Sequence, residues 1–168
     1  MRLSFKYTPK WKKEELSIIE ELSYHLSKLY NVVNYNLREE AYRSYFKIEP
    51  EYRSNWHREY LHSHNYQQGL KILDQDWKSY IASIKDYKKH PEKYKGEPRK
   101  PGYKNDKRKA EIIFTNYGVR LKGNQLFLSL SKKMQERFDV KSLNLPFPQK
   151  VAEQVNFENI QQVKLIWR

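Results

Sequence analysis

Cysteine is absent from this chain of 168 residues, which excludes disulfides and thiolate metal sites. A reducing, intracellular setting follows: cytoplasmic and, in a prokaryote, nucleoid-associated. Glycine is scarce at five residues, and no stretch has the phosphate-cradling pattern of a P-loop. No apolar run approaches the ~20 residues that a membrane-spanning helix needs. The opening MRLSFKYTPKWKKEE is charged and broken by Pro9, unlike a secretory signal. Acidic residues are in deficit, with 20 Asp and Glu against 33 Lys and Arg and a net charge of +13. Such a surplus repels itself in the folded state and points to a polyanionic partner, nucleic acid ahead of an anionic membrane.

Catalytic patterns are missing too. Two-metal nuclease chemistry needs several converging carboxylates. Here most Asp and Glu neighbour Lys or Arg, in runs such as KKEE and REE, as solvated helix faces do. The histidines are His25, His57, His62, His64 and His90. His62 and His64 stand two apart and diverge on a helix, so a shared zinc is not expected. No catalytic residue, metal or cofactor is assigned.

What is present is aromatic and basic. Aromatic residues make up 15% of the chain, 14 of them Tyr. Tyr suits half-buried helix faces as well as surfaces that meet bases and sugars. Residues 2–7 (RLSFKY) alternate and predict a short strand. Thr8-Pro9 then reads as a helix start. Leu16, Ile19, Leu22, Leu26, Leu29 and Val33 draw one helical stripe, which Leu37, Ala41 and Tyr45 extend. A break is expected at Lys47–Pro50, a second helix over 51–61, and a third over 65–88 carrying Leu70, Leu73, Trp77, Ile81 and Ile84 on one face. Gly69 interrupts that third helix.

Residues 88–110 hold three Pro and two Gly and resist regular structure. From Lys85 to Lys109 there are eleven Lys or Arg against four Asp or Glu, a net of +7. These cations can neutralise phosphates, and Tyr94 and Tyr103 can stack on unpaired bases. A plain basic linker is the competing reading. The period then switches to two, predicting strands at Ile112–Thr115, Val119–Leu121 and Leu126–Leu130, a short helix at Ser131–Phe138, a loop at 142–150 and a strand over 162–168. The alternation runs to the last residue, so the sequence is expected to continue elsewhere. A strand parted from its sheet by helices implies two subdomains sharing one core.

This order resembles the N-terminal part of TnpB, the transposon-encoded relative of type V CRISPR nucleases. The resemblance rests on RLSFKYTP, on Asn34-Tyr35-Asn36-Leu37, and on Gln67-Gln68-Gly69-Leu70 followed by Asp76-Trp77-Lys78-Ser79-Tyr80. It also rests on the basic run Gly96–Lys104, on Phe114-Thr115-Asn116, and on the hairpin through Asn124–Leu128. It covers essentially the whole chain in the correct order.

The resemblance implies an α+β fold in which a helical bundle, the recognition domain, is inserted after the first strand of a small antiparallel β-barrel, the wedge domain. Residues 1–8 would supply that strand, 9–90 the helices, 91–110 a basic loop and 111–168 the rest of the barrel. The implied partners are a guide RNA and target double-stranded DNA, with a separate nuclease-domain chain as a further candidate. No membrane partner is expected. Gln67 and Thr115 match family residues that contact a target-adjacent DNA motif; Asn116, Ser63 and Tyr52 join them, although Ser63 stands where the family often has Lys. Lys95, Arg99, Lys100, Tyr103, Lys104, Lys107, Arg108 and Lys109 are the expected RNA and phosphate contacts. No RuvC-like carboxylate or ribbon cysteine can be assigned, so cleavage is not expected of this chain alone. The alternative is a stand-alone DNA-binding regulator that uses the helix after His64 in the major groove.

Overall fold

The computed structural model describes residues 4–105, 109–146, 148–154 and 160–167. The fold is α+β. Two helices of 27 residues, α1 (Lys13–Glu39) and α3 (Ser63–Lys89), form the frame. Between them lie α2 (Tyr45–Glu51) and a 3₁₀ turn over Trp56–Tyr60. The strands follow: β1 (Ile112–Thr115), β2 (Val119–Lys122) and β3 (Gln125–Ser129), then α4 (Lys132–Phe138), β4 (Ser142–Pro146), α5 (Gln149–Ala152) and β5 (Gln162–Leu165).

The predicted stripe of α1 is buried from Ile19 to Leu37, and on α3 Leu70, Leu73 and Trp77 pack against it. Gly69 sits where the two helices approach: a Cβ there would lie 2.9 Å from Leu26 Cδ2. The missing side chain thus permits the close contact. Leu16 is 37% exposed, and Ala41 falls outside α1, which ends at Glu39.

Strand pairing gives two small antiparallel sheets, β1–β5 and β2–β3–β4. Among the described residues they do not close into a barrel. Ile112, Phe114, Leu128, Leu130, Met134 and Leu143 join the α1 and α3 side chains in one continuous core. The helical and stranded parts are therefore fused through that core. Ser23 on α1 ties the two ends of the stranded part together: its hydroxyl donates to Ala110 O (3.1 Å) and accepts from Trp167 Nε1 (3.1 Å).

Four expectations need correction. Residues 4–8 pair with no strand, and Phe5 is half-exposed; alternation alone cannot make a strand without a ladder partner. Residues 2 and 3 lie outside the described residues. The first helix begins at Lys13, not Pro9, where the Lys12 N–H donates to Glu15 Oε2 (2.8 Å). The expected break at Lys47–Pro50 and the helix over 51–61 give way to α2 running through Pro50. Proline falls in its last turn and costs one intrahelical bond. In return Ile48 is buried, and Glu49 receives Tyr66 Oη on its carbonyl and Arg53 on its carboxylate. Finally, the expected loop over 142–150 gives way to β4 and the start of α5, Phe147 lying outside the described residues. Leu143 and Leu145 turn inward in β4, and Pro146 is tolerated because it ends an edge strand.

Candidate nucleic-acid interface

Residues 98–104 run antiparallel along the last turns of α1. Pro98 and Pro101 carry no N–H, so this stretch cannot join a sheet ladder, and its carbonyls need donors. Asn34 Nδ2 donates to Pro101 O (3.0 Å) and Gly102 O (3.2 Å), and Arg38 Nη1 donates to Pro101 O (2.8 Å). Asn31 closes a two-way pair with Lys104, donating to its carbonyl (3.1 Å) and accepting from its N–H (2.7 Å). Asn34 is itself buried, and its Oδ1 accepts from Trp77 Nε1 (2.9 Å). One amide thus joins α1, α3 and the basic segment.

The cationic side chains of the segment stay outward. Lys95, Arg99, Lys100 and Lys104 are exposed. Among the described residues none pairs with a carboxylate. Lys100 Nζ donates to Arg38 O (3.4 Å), and Lys104 Nζ sits 4.6 Å from the Tyr30 ring centroid. Elsewhere the basic side chains are often matched: Arg43 with Glu51, Arg53 with Glu49, Lys78 with Asp74, Lys133 with Glu59, Arg137 with Glu21. Tyr103 is 44% exposed, with the Arg38 guanidinium 5.4 Å from its ring centroid. Lys109 is exposed, and Lys107 and Arg108 lie outside the described residues.

A second cluster forms where α3 begins against β1. Asn65 Nδ2 donates to Ile113 O (2.8 Å), which fixes the first turn of α3 on the strand. Ser63, His64 and Gln67 belong to that end of α3, while Thr115, Asn116 and Tyr117 follow from the strand. The His62 ring stacks on His64 (4.8 Å, 25°), and His64 stacks on Tyr117 (5.9 Å, 16°), whose own ring is 81% exposed. Gly118 lies beside this stack, with His64 Cδ2 3.5 Å from the position a Cβ would take. Thr115 Oγ1 and Asn65 Oδ1 are buried here without partners. Each such atom costs about 1–3 kcal/mol. Of the expected motif contacts, Ser63 and Gln67 lie in the first turns of α3 and Thr115 and Asn116 at the end of β1, the two elements that Asn65 and His64 hold together. Tyr52 lies elsewhere: it is buried at the end of α2, and its hydroxyl accepts from Asn36 Nδ2 (2.5 Å).

A third cluster holds α1 to the 56–60 turn. His25 and His57 face each other with Nδ1 atoms 3.0 Å apart, one donating and one accepting. The Tyr60 ring stacks on His25 at 4.0 Å. Burial, with His57 and Arg137 adding to it, pushes the His25 imidazole down to about 4 against the upward pull of Glu21. Among the described residues no group of three or more His, Asp or Glu is placed to hold a metal.

Asn31, Asn34, Arg38, His64 and Tyr117 emerge from the structure rather than from sequence reading. Asn34 carried a signal, since a polar residue on the apolar stripe between Tyr30, Val33 and Leu37 needs buried partners. His64 and Tyr117 meet only through tertiary packing. No protein-family model matches this sequence, and no curated protein matches it. No helix among the described residues is long and apolar enough to cross a membrane.

Proposed function

We propose that this chain is a nucleic-acid-binding module that holds a guide RNA and reads a short motif on duplex DNA. In this reading it serves as the N-terminal half of a TnpB-type RNA-guided endonuclease. The observation that carries the reading is the basic segment: hydrogen bonds from α1 hold its backbone, and among the described residues its exposed Arg99, Lys100 and Lys104, with Lys95 just before it, have no carboxylate partner. A chain that fixes uncompensated charge in place is suited to phosphates, which exchange condensed counterions for those cations. The junction of α3 and β1 supplies a different surface, with amides and rings that suit base edges and faces. The two sheets would form part of the wedge wall, and cleavage would belong to a RuvC-like domain elsewhere.

The test is recovery of nucleic acid from the chain expressed in its native setting. One discrete, salt-sensitive RNA species supports the reading. Random nucleic acid, or none, overturns the guide-RNA assignment. Footprinting on DNA without RNA separates the regulator: a discrete protected site under those conditions favours a stand-alone DNA-binding protein.

A further inference from the structure

Where the basic segment crosses α1, a shallow open groove of about 400 Å³ lies between Tyr103 and the helix, lined also by Lys28, Asn31, Val32, Tyr35 and Asn36. Its two tyrosines are unusually free for so apolar a residue, Tyr35 at 55% and Tyr103 at 44% exposure. Here they stand beside exposed cations, Arg99, Lys100 and Lys104, that among the described residues have no carboxylate partner.

The polar groups of the groove are largely committed. Asn31 uses both amide ends on the Lys104 backbone, and Asn36 Nδ2 is given to Tyr52. What remains for a ligand is ring faces, the Val32 side chain and the cations Lys28, which lines the groove, and Arg38, 5.4 Å from the Tyr103 ring centroid, with Lys100 and Lys104 on the segment that carries Tyr103. Such a surface takes a flat, anion-bearing ligand through its faces and does little to read its edges.

We propose that this groove is a stacking site for an unpaired nucleobase of a single-stranded segment, with Tyr35 and Tyr103 holding the base and those cations its flanking phosphates. The site is selective for strandedness and tolerant of sequence, because a paired base has no free face to offer. The proposal rests on the nucleic-acid-binding reading above and narrows it to one class of ligand at one place. An acidic peptide shares the charge but not the flat rings, so the tyrosines would contribute little to holding it.

The experiment compares fluorescence anisotropy for labelled single-stranded RNA, single-stranded DNA and duplex DNA of equal length. It uses the full chain, the Tyr35→Ala/Tyr103→Ala double variant and the Tyr35→Phe/Tyr103→Phe double variant. Loss of two stacking rings should weaken single-strand binding about 10-fold or more, with duplex binding changed less than about 2-fold. The phenylalanine variant should bind like the parent, since it keeps the rings, and it controls for any folding defect of the alanine variant. Equal losses on single strand and duplex would overturn the groove assignment, as would an unchanged single-strand affinity. So would competition by polyglutamate that is itself weakened 10-fold in the alanine variant. A parent chain that binds duplex alone would overturn the groove and leave the broader function standing. A parent chain that binds no nucleic acid would overturn both.

Discussion

Among the described residues, the basic segment over α1 and Lys95 just before it expose four cations without carboxylate partners, while the α3–β1 junction exposes the Tyr117 ring with His64 and His62 stacked in line behind it. Side chains of α1 take up backbone groups of Pro101, Gly102 and Lys104, while the cationic side chains of the segment stay exposed. The junction does the reverse, leaving Thr115 Oγ1 and Asn65 Oδ1 buried and unpaired. Charge acts at range and carries little sequence information; directional polar groups act at contact and carry much. Both surfaces hang on the same pair of helices. On the proposed function, this contrast lets affinity and selectivity be altered separately.

The largest separation should come from neutralising Lys95, Arg99, Lys100 and Lys104 to Gln together. Affinity for any single strand should fall on the order of 100-fold at low salt, and the slope of log K against log salt should shrink by about 3. An unchanged slope would locate the phosphate contacts elsewhere.

Asn34→Ala tests what holds that surface. It would strip partners from the Trp77 N–H and the Gly102 carbonyl and leave the Pro101 carbonyl with Arg38 alone. A cost of about 3 kcal/mol is expected, read as a drop in melting temperature of roughly 10 °C for a domain of this size. The segment should become protease-sensitive while the junction keeps its structure.

Acid should act on the frame that both surfaces share. His25 has a folded pKa of about 4, below its ordinary 6.5, because burial disfavours its charged form. The unfolded chain therefore binds the proton first as pH falls. Stability is intact above about pH 6.5 and is lost progressively between 6.5 and 4. His57 and His62 are lowered by burial as well and act in the same direction. His25→Phe retains a ring against Tyr60 and should flatten that pH dependence, measured by urea unfolding across the window. A parallel curve in the variant would clear His25 of the role.

The smallest effect should come from the junction. Gln67→Ala with Asn116→Ala should reduce discrimination among duplex sequences about 10-fold and leave non-specific affinity and its salt slope unchanged. A fall in non-specific binding would erase the proposed division of labour.

Much of the helical frame was legible because a buried helix face must repeat every three to four residues, and Leu22 to Leu37 and Leu70 to Trp77 do. The β2–β3 hairpin was legible from Gly123, whose φ of 59° at the turn suits a residue without Cβ. β4 was hidden by Pro146, because sequence alone does not reveal which strand lies at an edge. The N-terminal strand was over-read for the converse reason: Leu3, Phe5 and Tyr7 alternate, but alternation says nothing about whether a partner strand is there. Ser63, Gln67, Thr115 and Asn116 were named through family resemblance, and they lie on two elements, α3 and β1, that pack against each other. Tyr52 and the pinning of the basic segment depended on burial and on side-chain donors far apart in sequence.

The pairing of β1 with β5 joins residues 112–115 to residues 162–165. The contacts that seat the basic segment close a longer separation, 73 residues from Asn31 to Lys104, but they draw on helices that form locally. During synthesis residues 31–104 are made before β5, so the segment can seat on α1 while the strand that pairs with β1 is still missing. Pulse-labelled hydrogen exchange should find α1 amides protected before those of β5. Simultaneous protection would mean that both surfaces mature in one step.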